Sequence, residues 1–62
     1  MNSVNFVFWN KIYTISENAG IISIYSEKGD LFLQTTPQKL SEETSRFGKL
    51  ANAVYTALIR QN

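Results

Sequence analysis

The sequence predicts an α+β fold: an antiparallel meander of three or four strands over about residues 4–35, then one C-terminal helix over about residues 41–60, packed on one sheet face. Three observations point there. The chain before its single proline, Pro37, is a series of short β-branched and aromatic runs separated by polar turns. After Pro37 the apolar residues recur at a helical spacing. The third is bulk composition. With 62 residues, of which 44% are apolar, 13% aromatic and 18% charged, the chain is one small globular domain, 1–62, and not a disordered segment.

The strand runs are Phe6 to Trp9, Ile12 to Ile15, Ile21 to Tyr25 and Leu31 to Gln34. Asn10-Lys11, Glu17 to Gly20 and Glu27 to Asp30 are the turn candidates, the second ending in a glycine and the third carrying one where a positive φ is expected. With those loops Trp9 faces Ile12, Phe8 faces Tyr13, Ile15 faces Ile22, Tyr25 faces Phe32 and Ile24 faces Leu33. Directly opposed residues share a face, so the side chains sort into two sets. Phe6, Phe8, Tyr13, Ile15, Ile22, Ile24, Leu31 and Leu33 form the face offered to the helix. Val7, Trp9, Ile12, Thr14, Ser23, Tyr25, Phe32 and Gln34 form the other. One long strand through residues 5–15, in a three-stranded sheet, is the competing arrangement.

In the second half Ser41 is the expected N-cap, with Glu42 and Glu43 in the first turn and Arg60 near the negative end of the helix dipole. Thr36-Pro37 is an alternative, earlier start. At 100° per residue Leu40, Phe47, Leu50, Ala51, Val54 and Leu58 fall on one arc, opposite Glu42, Ser45, Lys49, Asn52, Thr56 and Arg60. Gly48 is costly inside a helix, so it marks a close approach, to the sheet or to another chain.

Chemistry is scarce. Without cysteine or histidine there are no disulfides, no thiol or histidine zinc ligands and no histidine to activate a hydroxyl nucleophile. The carboxylates are scattered through loops and a helix start, with no spacing that pairs them as acid and base. No Asp-rich or Gly-rich phosphate loop is present. The expectation is a protein that is not an enzyme and needs neither cofactor nor metal.

Net charge is +1, too near neutral to indicate a polyanionic partner by itself. No apolar run is long enough to span a membrane, and the stretch from Phe6 to Trp9 is shorter than a signal-peptide core and has no basic segment before it. A cytoplasmic location without membrane contact is expected. The oddity is the second sheet face. There Val7, Trp9, Ile12, Tyr25 and Phe32 form an aromatic and aliphatic band of the kind that marks an interaction surface, for a homodimer or a protein partner. Gly48, Tyr55 and Ile59 on one helix edge are a second candidate interface. The runner-up function is binding of single-stranded nucleic acid, with the sheet aromatics stacking bases and Lys11, Arg46, Lys49 and Arg60 meeting phosphates.

Overall fold

The computed structural model describes residues 2–60. Four strands, β1 (Asn2–Phe8), β2 (Lys11–Asn18), β3 (Ile21–Tyr25) and β4 (Leu31–Thr35), form one antiparallel sheet in the order β1-β2-β3-β4. Two helices follow, α1 (Pro37–Ser41) and α2 (Arg46–Arg60). The class is therefore α+β, with four strands.

Both early hairpins close on two-residue turns in which each residue has a positive φ. Trp9 and Asn10 stand at 53° and 61°, Ala19 and Gly20 at 53° and 81°. That is the turn geometry whose twist matches the strands it joins. The first turn is thus Trp9-Asn10 and not Asn10-Lys11, and Phe8 faces Lys11, Phe6 faces Tyr13 and Val4 faces Ile15. The second is Ala19-Gly20 alone, so Ile15 faces Ile24. Here Glu17 replaces a loop role with a capping one, its carboxylate accepting from the Gly20 N–H at 3.0 Å. Each correction moves the register by two residues. Because side chains alternate with a period of two, the face assignments in β1, β2 and β3 survive.

The third connection differs. Ser26 N–H donates to the Asp30 carbonyl at 2.8 Å, and Gly29 N–H donates to the Ser26 carbonyl at 2.9 Å with Gly29 at φ 92°. This is a three-residue loop ending in a glycine that only a left-handed conformation closes. Just beyond it the register slips between Ile24 and Tyr25: Ile24 faces Leu33, but Tyr25 faces Leu31. Phe32 is the extra residue of a β-bulge.

The single predicted helix is two. Thr36 caps α1, its hydroxyl accepting from the Lys39 N–H at 3.3 Å, with proline at the first helical position. Ser41 is not an N-cap; its hydroxyl donates back to the Gln38 carbonyl at 2.7 Å. Glu42 closes α1, and Glu43 lies in the connection rather than in a first turn. Ser45 caps α2, accepting from Gly48 N–H at 3.0 Å through its hydroxyl and from Lys49 N–H at 2.9 Å through its carbonyl. The break keeps the second half within the span of the sheet. One straight helix from Pro37 to Arg60 would run about 36 Å, whereas the fold's longest extent is 26 Å.

The core lies between the sheet and the helices. Ile15, Ile22, Ile24, Leu40 and Ala51 are completely or almost completely buried, with Phe6 and Tyr13 beside them. Val4, Phe8, Leu33, Phe47, Leu50, Val54 and Tyr55 pack around that centre. Every apolar residue of the expected helix arc is thus buried or half-buried. α2 lies over β1 and β2.

Candidate interaction site at the aromatic end of the sheet

Antiparallel order brings the Trp9-Asn10 turn and the loop from Ser26 to Asp30 to the same end of the sheet. There α2 begins, and its Phe47 ring is the hub of an aromatic cluster. Ring centroids of Phe6, Phe8, Tyr13 and Phe32 stand 5.8, 5.2, 5.1 and 5.2 Å from that of Phe47, three of them edge-on. Phe6 stacks on Tyr13 at 5.7 Å, and Phe32 meets Tyr13 at 5.2 Å. Trp9 extends the cluster outward through Phe8, at 6.2 Å.

The interior of this cluster is buried and its rim is not. Trp9 is 76% exposed, Phe32 55%. At the same end of the sheet Val7 and Ile12, opposed on the outer face one pair below the turn, and Leu31 just after the loop are 61%, 41% and 55% exposed. Exposed Ile21 and Ile59 lie elsewhere, after the second turn and near the end of α2.

The band expected across the outer face is therefore not formed. Trp9 is a turn residue whose ring meets Phe8, a side chain of the helix face. Phe32 is on the helix side, against Tyr13 and Phe47, because the bulge resets the alternation of β4. Leu31, expected on the helix face, is instead opposite Tyr25 and exposed. Val7, Ile12 and Tyr25 remain on the outer face, but its middle is polar. Ser3 faces Ser16, Ser16 faces Ser23 and Ser23 faces Gln34, whose Nε2 donates to the Ser23 hydroxyl at 3.2 Å. Asn5 and Thr14 face each other and share a 2.8 Å bond from hydroxyl to amide oxygen.

The second expected interface is also corrected. Gly48 is buried against its own chain: a Cβ there would collide with the Glu43 side chain and stand 3.0 Å from the Ser45 hydroxyl. The glycine thus lets the α1–α2 connection lie close to the first turn of α2. Tyr55 packs on the core, and only Ile59 of the three is exposed.

A groove of about 340 Å³ opens beside the aromatic rim, floored by Ile12, Tyr13 and Phe32 and flanked by Lys11, Ser26, Glu27 and Lys28. It exists because β2 outruns β3: the last pair between them is Thr14 with Tyr25, so Lys11 to Tyr13 have a strand neighbour on the β1 side alone. Of the basic residues expected to meet phosphate, Lys11 is on this groove, while Arg46, Lys49 and Arg60 are exposed along α2. Among the described residues no three acidic side chains gather as metal ligands, and no helix is long and apolar enough to cross a membrane. Leu31, the Phe47 hub and the groove are what sequence reasoning missed. The aromatic residues on both sides of the first turn, Phe6, Phe8, Trp9 and Tyr13, were the available signal.

Comparison with protein-family models, with curated proteins and with solved structures finds no match for this chain.

Proposed function

We propose that the protein is a small non-enzymatic binding protein, cytoplasmic and regulatory in role, that engages a protein partner or a second copy of itself through the apolar end of the sheet. One observation carries the reading: Trp9. A bulky aromatic at φ 53° is strained, at a cost of about 1 to 2 kcal/mol relative to glycine. Its ring is also 76% exposed, so burial within the monomer does not offset that strain. A contact outside the monomer gives the ring its missing apolar surroundings, and exposed Phe32 on the helix side, with Val7 and Ile12 on the outer face and Leu31 after the loop, lies at the same end of the sheet. Tryptophan is also the residue most enriched among binding hot spots.

The test compares the unmodified chain with Trp9→Asn and Phe32→Glu. Both variants are expected to keep the far-ultraviolet circular dichroism spectrum and to lose the partner that co-purifies with the tagged protein from its native cell, or the dimer seen by light scattering. Retention of both by either variant would remove this end from the interface. Nucleic-acid binding has one observation in its favour, Lys11 and Lys28 flanking a groove floored by Tyr13 and Phe32. A salt titration separates it, since contact with phosphates gives a steep log-log slope and a protein interface of this composition does not.

A further inference from the structure

The two edges of the sheet are built differently. β4 has five residues, is bulged at Phe32 and runs within two residues into Pro37. Short length, a bulge and a nearby proline are how proteins keep an edge from pairing. β1 has seven residues, NSVNFVF, with no charge, no proline and no irregularity in its register with β2. None of those protections is present on β1.

Its open side has a definite hydrogen-bonding pattern. In a two-residue hairpin the residues flanking the turn exchange both of their backbone bonds, here Phe8 and Lys11. The alternation then directs Phe8, Phe6 and Val4 toward β2, and Val7, Asn5 and Ser3 away from it. We infer that β1 pairs antiparallel with β1 of a second copy, about a two-fold axis at Asn5, to give a continuous eight-stranded sheet. In that register Ser3 meets Val7 of the second copy, Asn5 meets Asn5 and Val7 meets Ser3, so all outward donors and acceptors of both strands are used. No other two-fold register uses all of them. The strand's lack of charge means that no like charges are opposed in β1. The pairing closes on itself, leaving only the two bulged β4 edges outside, so growth stops at the dimer. By the 100° phase of α2, Leu50, Ala53 and Ala57 share the flank opposite Gly48 with exposed Arg46, and Gly48 faces the connection from α1.

Of the apolar end this pairing uses only the Val7 backbone, and it leaves Trp9, Ile12, Leu31 and Phe32 outside the joined strands. The experiment combines amide hydrogen exchange of the unmodified protein at two concentrations with cross-linking of Asn5→Cys. The amides of Ser3, Asn5 and Val7 are expected to exchange at least about tenfold more slowly at the higher concentration. In a hydrogen-bonded antiparallel pair the two position-5 Cα atoms stand about 5.5 Å apart, within disulfide reach. The chain has no other cysteine. Asn5→Cys should therefore close into a dimer at least about tenfold faster than Thr44→Cys, in the exposed α1–α2 connection. Exchange at the three amides that is independent of concentration overturns the inference, and so does open-ended growth. A dimer seen by scattering, lost in Trp9→Asn and not captured by Asn5→Cys would assign self-association to the apolar end instead. A dimer captured by Asn5→Cys and unaffected by Trp9→Asn establishes the edge, and the fate of the apolar end then rests on its partner.

Discussion

The two ends of this sheet solve the same closure problem with opposite materials. At one end Ala19-Gly20 makes a tight turn whose glycine suits its left-handed place, and the Glu17 carboxylate satisfies the turn's N–H. At the other, Trp9-Asn10 makes the same turn with a tryptophan in a left-handed position and no such bond from a neighbouring carboxylate among the described contacts. Inside, the sheet is aliphatic where Ile15 and Ile24 oppose each other and Leu40 closes the core, and there exposure falls to 0–1%. Toward the Trp9 turn it is aromatic, with Phe47 at the centre and exposed rings at the rim. The aliphatic region is where the monomer's stability is concentrated. The aromatic end holds apolar surface that the monomer does not use.

Substitutions sharpen that division, and the largest effect belongs to the aliphatic region. Ile24→Ala removes a side chain with no exposure, flanked across the strands by Ile15 and Leu33. Its cost should be about 3 to 5 kcal/mol, a large part of what a domain of this size possesses. Chemical denaturation monitored by circular dichroism measures it. A cost below about 1 kcal/mol would mean the centre of the core lies elsewhere.

Phe47→Ala comes next. The ring is half-buried but touches four others, so losing it should cost about 2 to 3 kcal/mol and loosen the turn end first. Hydrogen exchange should show the amides of Phe8 and Lys11 opening before those of Ile15 and Ile24. Uniform loss of protection would erase the distinction between the two ends. Smaller again is Phe32→Ala, at about 1 kcal/mol, because more than half of that side chain is already in water.

How far these regions could be read from sequence depended on whether residue chemistry marked the turn. The antiparallel meander, the alternation of β1 to β3, and the apolar arc of the helices followed from periodicity, which the structure keeps, while the choice between three and four strands stays open in the sequence. The turn positions did not follow, because Trp9 and Ala19 are poor residues for the left-handed places they hold, and the better candidates beside them drew the loops one or two residues away. Those errors were even in register and so harmless to the faces. The bulge was not. Leu31 and Phe32 are both apolar, so nothing in their pattern signals which one turns inward, and the difference exchanges a core contact for an exposed one. In the second half Ser41 is the cap expected from sequence, and Ser45, on the expected polar arc, is the residue that caps α2. What separates them is the hydroxyl's partner in the folded chain, the Gln38 carbonyl for Ser41 and the Gly48 N–H for Ser45, which no local window contains.

The smallest expected change in stability is the most informative about the aromatic end. Trp9→Asn replaces a strained aromatic by a residue that tolerates a left-handed backbone and is favoured at the first position of this turn. The turn should gain about 1 kcal/mol, partly offset by the lost contact with Phe8 at 6.2 Å. A net stabilisation of about 0.5 kcal/mol raises the melting temperature of a domain this small by a few degrees. The equivalent change at the other end, Ala19→Asn, relieves the same kind of backbone strain without removing an exposed ring. Both variants should therefore melt higher than the unmodified chain, and only Trp9→Asn should lose its partner. If Trp9→Asn instead melts lower, the indole contributes to the monomer's own packing. The division between a stabilising region and a contacting end would then fail at the residue on which it most depends.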